Sequence, residues 1–169
     1  YPHMPTGAVA TIEDFKQLIE FAKKHSILIV NDNPYSFILN DNPISILEVE
    51  GAKEVAVELN SLSKTFNMAG WRVGMVVGKS SYLQSILKVK SNMDSGMFLG
   101  LQKGATAALL LGKPWFERQN EIYASRRKLV WTLADHLGLT YDREAAGLFV
   151  WCRVPAGTSA EALVDQLLY

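Results

Sequence analysis

A single cysteine, Cys152, is all that the 169 residues offer to thiolate chemistry. That excludes an internal disulfide or a multi-cysteine metal site and fits a reducing compartment. Charge of one sign is also missing: seventeen basic side chains balance seventeen acidic ones, so the electropositive footprint of a nucleic-acid binder is absent and no such partner is expected. The longest largely apolar stretch, Ala105 to Leu111, is far too short to span a bilayer, and no charged-then-apolar leader precedes it. A cytoplasmic protein with no membrane partner is the expectation. His3, His25 and His136 lack metal-ligand spacing, so no metal is expected. No Gly-x-Ser-x-Gly elbow supports a serine hydrolase. Gly78-Lys79-Ser80 echoes the end of a phosphate loop, but that pattern needs glycine where Val73 stands. There is no initiator methionine, and the chain closes at Tyr169 inside an apolar-periodic segment, so it reads as a fragment.

What is present is the composition of an ordinary globular protein, 49% hydrophobic and 20% charged. Thr11 with Asp14 three residues on resembles a capping box, and Ile12, Phe15, Leu18, Ile19 and Ala22 share the face of a helix ending near His25. Ile27 to Val30 is a short continuous apolar run, as expected of a strand covered on both faces in a parallel sheet, and it ends at Asn31-Asp32. Val55 to Leu59 and Val73 to Val77 read the same way. Beyond Gly78 the pattern predicts helices over roughly Ser81 to Lys90, Leu99 to Leu111, and Pro114 to about Leu137, the last with Pro in its first turn. Gly147 to Val154 reads as a strand, and Thr158 or Ser159 as the cap of a final helix. Strand, helix and strand in succession predict an α/β fold, a mainly parallel sheet with helices on both faces. Ligands of such sheets bind beyond the strand ends, where Asp32, Tyr35, Asn60, Ser61, Ser63 and Lys64 fall.

Lys64 directly follows an apolar strand in Ser61-Leu62-Ser63-Lys64-Thr65-Phe66. Taken singly, a lysine after a strand is a solvated loop residue. Held among hydroxyls and small or apolar neighbours, it is expected to lose affinity for its proton, the condition for imine formation with a carbonyl. Arg72, eight residues on, lies between Gly70 and Gly74 with a guanidinium fork suited to phosphate. Upstream, Asp32 ends a buried strand and calls for a cationic partner, which a protonated pyridine nitrogen would provide. Singly, Asp32 is a turn-forming residue before Pro34 and Tyr35 a packed aromatic.

Together, Tyr1-Pro2-His3-Met4-Pro5-Thr6-Gly7, Asp32-Asn33-Pro34-Tyr35, and Ser61-Leu62-Ser63-Lys64 with Arg72 resemble the ordered signatures of the class I/II aminotransferases, enzymes of fold type I that use pyridoxal 5′-phosphate (PLP). The resemblance covers nearly the whole chain. It implies that Lys64 is the Schiff-base lysine and proton shuttle. Asp32 would pair with the pyridinium nitrogen, Tyr35 would hydrogen-bond the ring's phenolic oxygen, and Ser61, Ser63 and Arg72 would hold the phosphate. Residues 1–113 would be the C-terminal part of the PLP-binding major domain, and 114–169 the interdomain helix and the beginning of the small domain. Gly147-Leu148-Phe149-Val150-Trp151 resembles that domain's opening strand. Trp115 and Phe116 read as core or interface anchors.

One position departs from the family's pattern: Met4 stands where an asparagine usually donates to the phenolic oxygen, and a thioether cannot donate. Less stabilisation of the phenolate raises the pH at which the cofactor's visible absorbance changes. Asn92-Met93-Asp94-Ser95-Gly96-Met97-Phe98, followed by Gln102, is similar to a loop of LL-diaminopimelate and related aspartate or methionine aminotransferases, where it lies at the subunit boundary. It reads equally as a turn between helices with Asp94 as cap. The arginine that clamps the substrate carboxylate, the glycine-rich phosphate loop and the ring-stacking aromatic of the family would all lie outside these 169 residues.

An amino acid and a 2-oxo acid are the substrates this resemblance implies, with a homodimer as the assembly. The same scaffold also carries C–S or β-lyases and racemases. A third reading is a non-catalytic PLP-binding regulatory module, against which the balanced charge counts.

Overall fold

The computed structural model describes residues 1–168. Helix α1 (Ile12–His25) starts at the anticipated capping box: Thr11 Oγ1 accepts from the Asp14 amide at 3.1 Å, and Asp14 Oδ2 accepts from the Thr11 amide at 2.8 Å. Both bonds satisfy donors that a helix start leaves unpaired. Lys23, Lys24 and His25 sit in its last turn, the favourable end of the helix dipole for cations. Its buried side is narrower than the sequence pattern: Phe15, Ile19 and Ala22 are inside, while Ile12 and Leu18 remain exposed.

Strand β1 (Ile29–Asp32) begins later than its apolar run, since Ile27 and Leu28 stay outside the sheet. Strand β2 (Ala56–Ser61) pairs with it in parallel, Ile29 opposite Ala56 and Asp32 opposite Leu59. Strand β3 (Gly74–Gly78) departs from the expectation of a further parallel strand and pairs with β2 antiparallel. The connection explains the reversal. Segment 62–73 holds only the four-residue helix α2 (Leu62–Thr65) and a three-residue 3-10 turn, neither long enough to run back along the sheet as the crossover helix of a parallel neighbour does. The sheet order is β1-β2-β3. The β1 run is also not covered on both faces, because Val30 is 55% exposed.

Two clusters form the core. In the first, Phe15 and Ile19 of α1 pack with Ile46, Val49, Ala52 and Ala56; burial of a side chain of this size contributes about 2–3 kcal/mol. The second joins Leu62, Phe66 and Val73 to Ala105 and Ala108, with Trp115 and Phe116 packed against it. This agrees with the anchoring part expected of the two aromatics.

Helices α3 (Ser80–Met93), α4 (Leu99–Leu109) and α5 (Lys113–His136) follow, each within a few residues of its predicted bounds. Asp94 ends α3, paired with Lys90 at 2.6 Å and accepting from the Gly96 amide at 3.1 Å, so the loop before α4 is a capped turn. The strand predicted over Gly147 to Val154 contracts to β5 (Cys152–Arg153), because its partner β4 (Thr140–Tyr141) offers only two residues to pair with. Ser159 Oγ accepts from the Ala162 amide at 3.1 Å and caps α6 (Ala160–Leu168). No helix among the described residues is long and apolar enough to cross a membrane. The architecture is α/β, with the ends of the parallel pair β1 and β2 side by side.

Candidate active site

Alternation along β1 sends Asp32 to one face of the sheet and its neighbours Asn31 and Asn33 to the other. Through the parallel register, Leu59 and then Ser61 of β2 share the Asp32 face. The Asn33 amide donates to the Leu59 carbonyl at 2.8 Å and carries the pairing one step past β1. Just beyond, the chain turns at Pro34 and presents Tyr35, half-buried, with Phe149 edge-on at a centroid separation of 6.1 Å.

Met4 belongs to the same neighbourhood. Gly147 adopts φ +86, and a Cβ there would collide with the Met4 methyl group and lie beside Tyr35. Only glycine fits, so the thioether packs directly on backbone. Met4, Asp32 and Tyr35 all line one open cleft of about 380 Å³.

A second group sits at the end of β2. Ser61 begins the turn, its Oγ accepting from the Ser63 amide at 3.1 Å. Arg72 has a left-handed backbone, φ 54, and its Nη1 donates to Ser63 Oγ at 3.3 Å and to the Ala69 carbonyl at 2.8 Å. The Leu62 amide bonds the Val73 carbonyl at 3.1 Å, closing the loop that carries Arg72 back onto the helix that carries Lys64. Ser61, Ser63 and Arg72 are therefore linked beside Lys64 in one hydroxyl-rich, cationic group. A guanidinium fork with two serine hydroxyls is donor chemistry suited to a phosphate dianion.

The two groups stay separate in one respect: the cleft with Met4, Asp32 and Tyr35 is not lined by Lys64, Ser61, Ser63 or Arg72. They are joined through Thr65, which is buried. Its Oγ1 donates to the Pro34 carbonyl at 3.4 Å, and its carbonyl accepts from Trp115 Nε1 at 3.0 Å.

On the opposite face lies a residue the sequence reading passed over. Glu58, inside the largely apolar run from Val55 to Leu59, is 7% exposed. Its carboxylate accepts from Asn31 Nδ2 at 2.9 Å, Asn33 Nδ2 at 3.3 Å, Ser45 Oγ at 3.1 Å and the Ile46 amide at 3.1 Å. The available signal was a lone charge interrupting a buried strand, because such a charge needs dedicated partners.

The family described as aminotransferase class I and II matches residues 1–169. The LL-diaminopimelate aminotransferase of Maridesulfovibrio salexigens is 41% identical over 171 residues, taking in 99% of this chain and 44% of that protein. Its namesake in Aquifex aeolicus is 39% identical over 170 residues, 99% of this chain and 44% of its own. Among solved structures, apo-BacF from Bacillus subtilis superposes with a TM-score of 0.91 at 37% identity, over 99% of this chain and 44% of that one. An aminotransferase from Staphylococcus aureus gives 0.89 at 34% identity, over 99% and 45%. The chain spans less than half the length of these relatives.

Proposed function

This chain belongs to the class I and II aminotransferases, and from that premise we propose that the intact protein moves an amino group from an α-amino acid to a 2-oxo acid. PLP is the family's cofactor, and when bound it supplies an electron sink for the pair left on the donor's α-carbon as its proton departs. The chain's own residues divide the remaining work. Lys64 Nζ would hold the cofactor covalently and then, once displaced by the donor's amine, carry the proton from the α-carbon. Asp32 would keep the ring nitrogen protonated, Tyr35 would donate to the ring's phenolic oxygen, and Arg72 with Ser63 and Ser61 would hold the phosphate. The observation that carries this assignment is the Arg72 to Ser63 hydrogen bond, which supports a phosphate cradle immediately beside Lys64.

The names of the relatives make LL-diaminopimelate the first donor to try. We further read residues 114–169 as the start of a second domain, since α5 opens at Lys113. A homodimer is favoured by the bare apolar side chains of α3, α4 and the loop between them, among them Val89, Met93, Phe98 and Leu99.

Borohydride reduction of the intact protein with PLP, followed by peptide mapping, tests the lysine: a pyridoxyl label on Lys64 is expected, and a label only elsewhere overturns the assignment. Incubation with excess donor and no acceptor tests the reaction. A transaminase releases one 2-oxo acid per bound cofactor and stops. Continued release with ammonia marks an elimination, inversion of the donor's configuration marks a racemase, and no change in the donor marks a binding module.

A further inference from the structure

A carboxylate inside a sheet is costly unless every lone pair it turns inward finds a donor. Glu58 meets that demand without a lysine or arginine: none pairs with it among the described residues, its four hydrogen-bond partners are neutral donors, and the Tyr1 ammonium nearby donates to Asn31 Oδ1 at 2.6 Å and not to the carboxylate. Two of them hold Glu58 to the chain at Ser45 and Ile46. The other two are the side chains of Asn31 and Asn33, which bracket Asp32 on either side. One carboxylate thus grips the strand at the position before Asp32 and the position after it, from the face that Asp32 does not occupy. Near the end of a strand, where backbone pairing runs out, such a grip decides how the intervening residue is aimed.

We propose that Glu58 is the positioning residue for Asp32, clamping the end of β1 from behind so that the Asp32 carboxylate is held toward the cofactor's ring nitrogen. The proposal rests on the part given to Asp32 above. It makes a specific demand on substitutions. Asn33 Oδ1 is buried without a hydrogen-bond partner. In Glu58→Gln, the new amide oxygen can take the place of Oε2, which serves Asn31, Ser45 and Ile46. The new NH₂ can donate to Asn33 once that amide turns over and offers Oδ1. Glutamine therefore keeps the clamp. Alanine strips the partner from four buried or half-buried donors, frees the Asn33 side chain and leaves that of Asn31 held only through its Oδ1 by the Tyr1 nitrogen.

The test uses the intact protein, freed of cofactor and titrated with PLP, following both affinity and the visible absorbance of the bound form across pH. Asp32→Asn serves as reference. Glu58→Ala is expected to weaken PLP binding about tenfold and to reproduce the absorbance changes of Asp32→Asn. Glu58→Gln should keep the wild-type affinity and spectrum, and Glu58→Ala should add little to Asp32→Asn in the double variant. Three outcomes overturn the clamp while leaving the assignment of Asp32 standing. Glu58→Ala could melt earlier yet keep wild-type affinity and spectrum, Glu58→Gln could be as impaired as alanine, or the double variant could lose the full sum. If Asp32→Asn itself changes neither affinity nor spectrum, the part given to Asp32 falls and the clamp with it. Should Glu58→Ala give no folded protein, the Asn31→Ala/Asn33→Ala pair replaces it. An Asp32→Asn-like spectrum then supports the clamp, and a wild-type spectrum overturns it.

Discussion

Thr65 and Pro34 are joined by a side-chain to backbone hydrogen bond of 3.4 Å. That bond fastens the helix of Lys64 to the turn between Asp32 and Tyr35. It is long for a hydroxyl donor and therefore weak, yet it spans the gap between the two halves of the candidate site.

Replacing Thr65 by valine keeps the volume and removes the donor. Stability should fall by about 0.5 kcal/mol, the low end for a hydrogen bond, read from a urea titration. The kcat of the intact enzyme should fall several-fold at unchanged KM for the amino donor, because the lost tie misplaces groups that act on reacting atoms rather than groups that merely bind. A lowered midpoint with kcat intact would mean that Thr65 only stabilises.

Met4 offers a sharper test of the cofactor's surroundings. It lines the cleft with Asp32 and Tyr35 and packs on Gly147. Met4→Asn supplies a hydrogen-bond donor to an oxygen that carries charge only in its deprotonated form, so the pH midpoint of the bound cofactor's visible absorbance should drop by about one unit. An unchanged midpoint refutes the idea that the thioether leaves that oxygen short of a donor.

The start of α1 carries an acid-sensitive contribution. The Thr11 amide, and after it the Thr11 hydroxyl, hold the Asp14 carboxyl below its ordinary 3.8. A group whose folded pKa lies below its unfolded one stabilises the fold fully above the unfolded value and loses that contribution as pH falls through the folded one. Wild-type and Asp14→Ala proteins should therefore differ in urea midpoint near neutral pH and converge as pH falls below the ordinary carboxylate value and through the lowered one. Curves that stay parallel throughout the acid range would show that the carboxylate contributes nothing.

Phe15 tests the first core cluster. It is buried against Ile46 and Val49, and truncation to alanine opens a cavity that the sheet and the 3-10 turns Ile46–Glu48 and Ala52–Glu54 can only partly close. A loss of about 3–5 kcal/mol is expected. Anything under about 1 kcal/mol would mean that α1 is not packed as described.

Much of this was legible in the residues because local rules were at work. The Thr11 and Asp14 spacing placed a helix start, Pro114 marked the first turn of α5, and the Ser61 to Arg72 segment announced the residues that come together as the linked serine and arginine group. What stayed hidden depends on distance along the chain. An apolar run such as Val73 to Val77 says nothing of strand direction, which the short return after Ser61 decides. Thr65 reaches partners 31 and 50 residues away, and no periodicity announces such bonds. Glu58 was masked by its own neighbours, because a run scored as apolar conceals the one charge whose partners must be found elsewhere in the fold.

The sheet order leaves β1 on an outer edge, with Val30 uncovered on it and Ile27 and Leu28 uncovered just before it. Free amides and carbonyls beside bare aliphatic side chains are what a foreign strand needs in order to add itself. Expressed as they stand, these 169 residues would self-associate through that border, strand against strand.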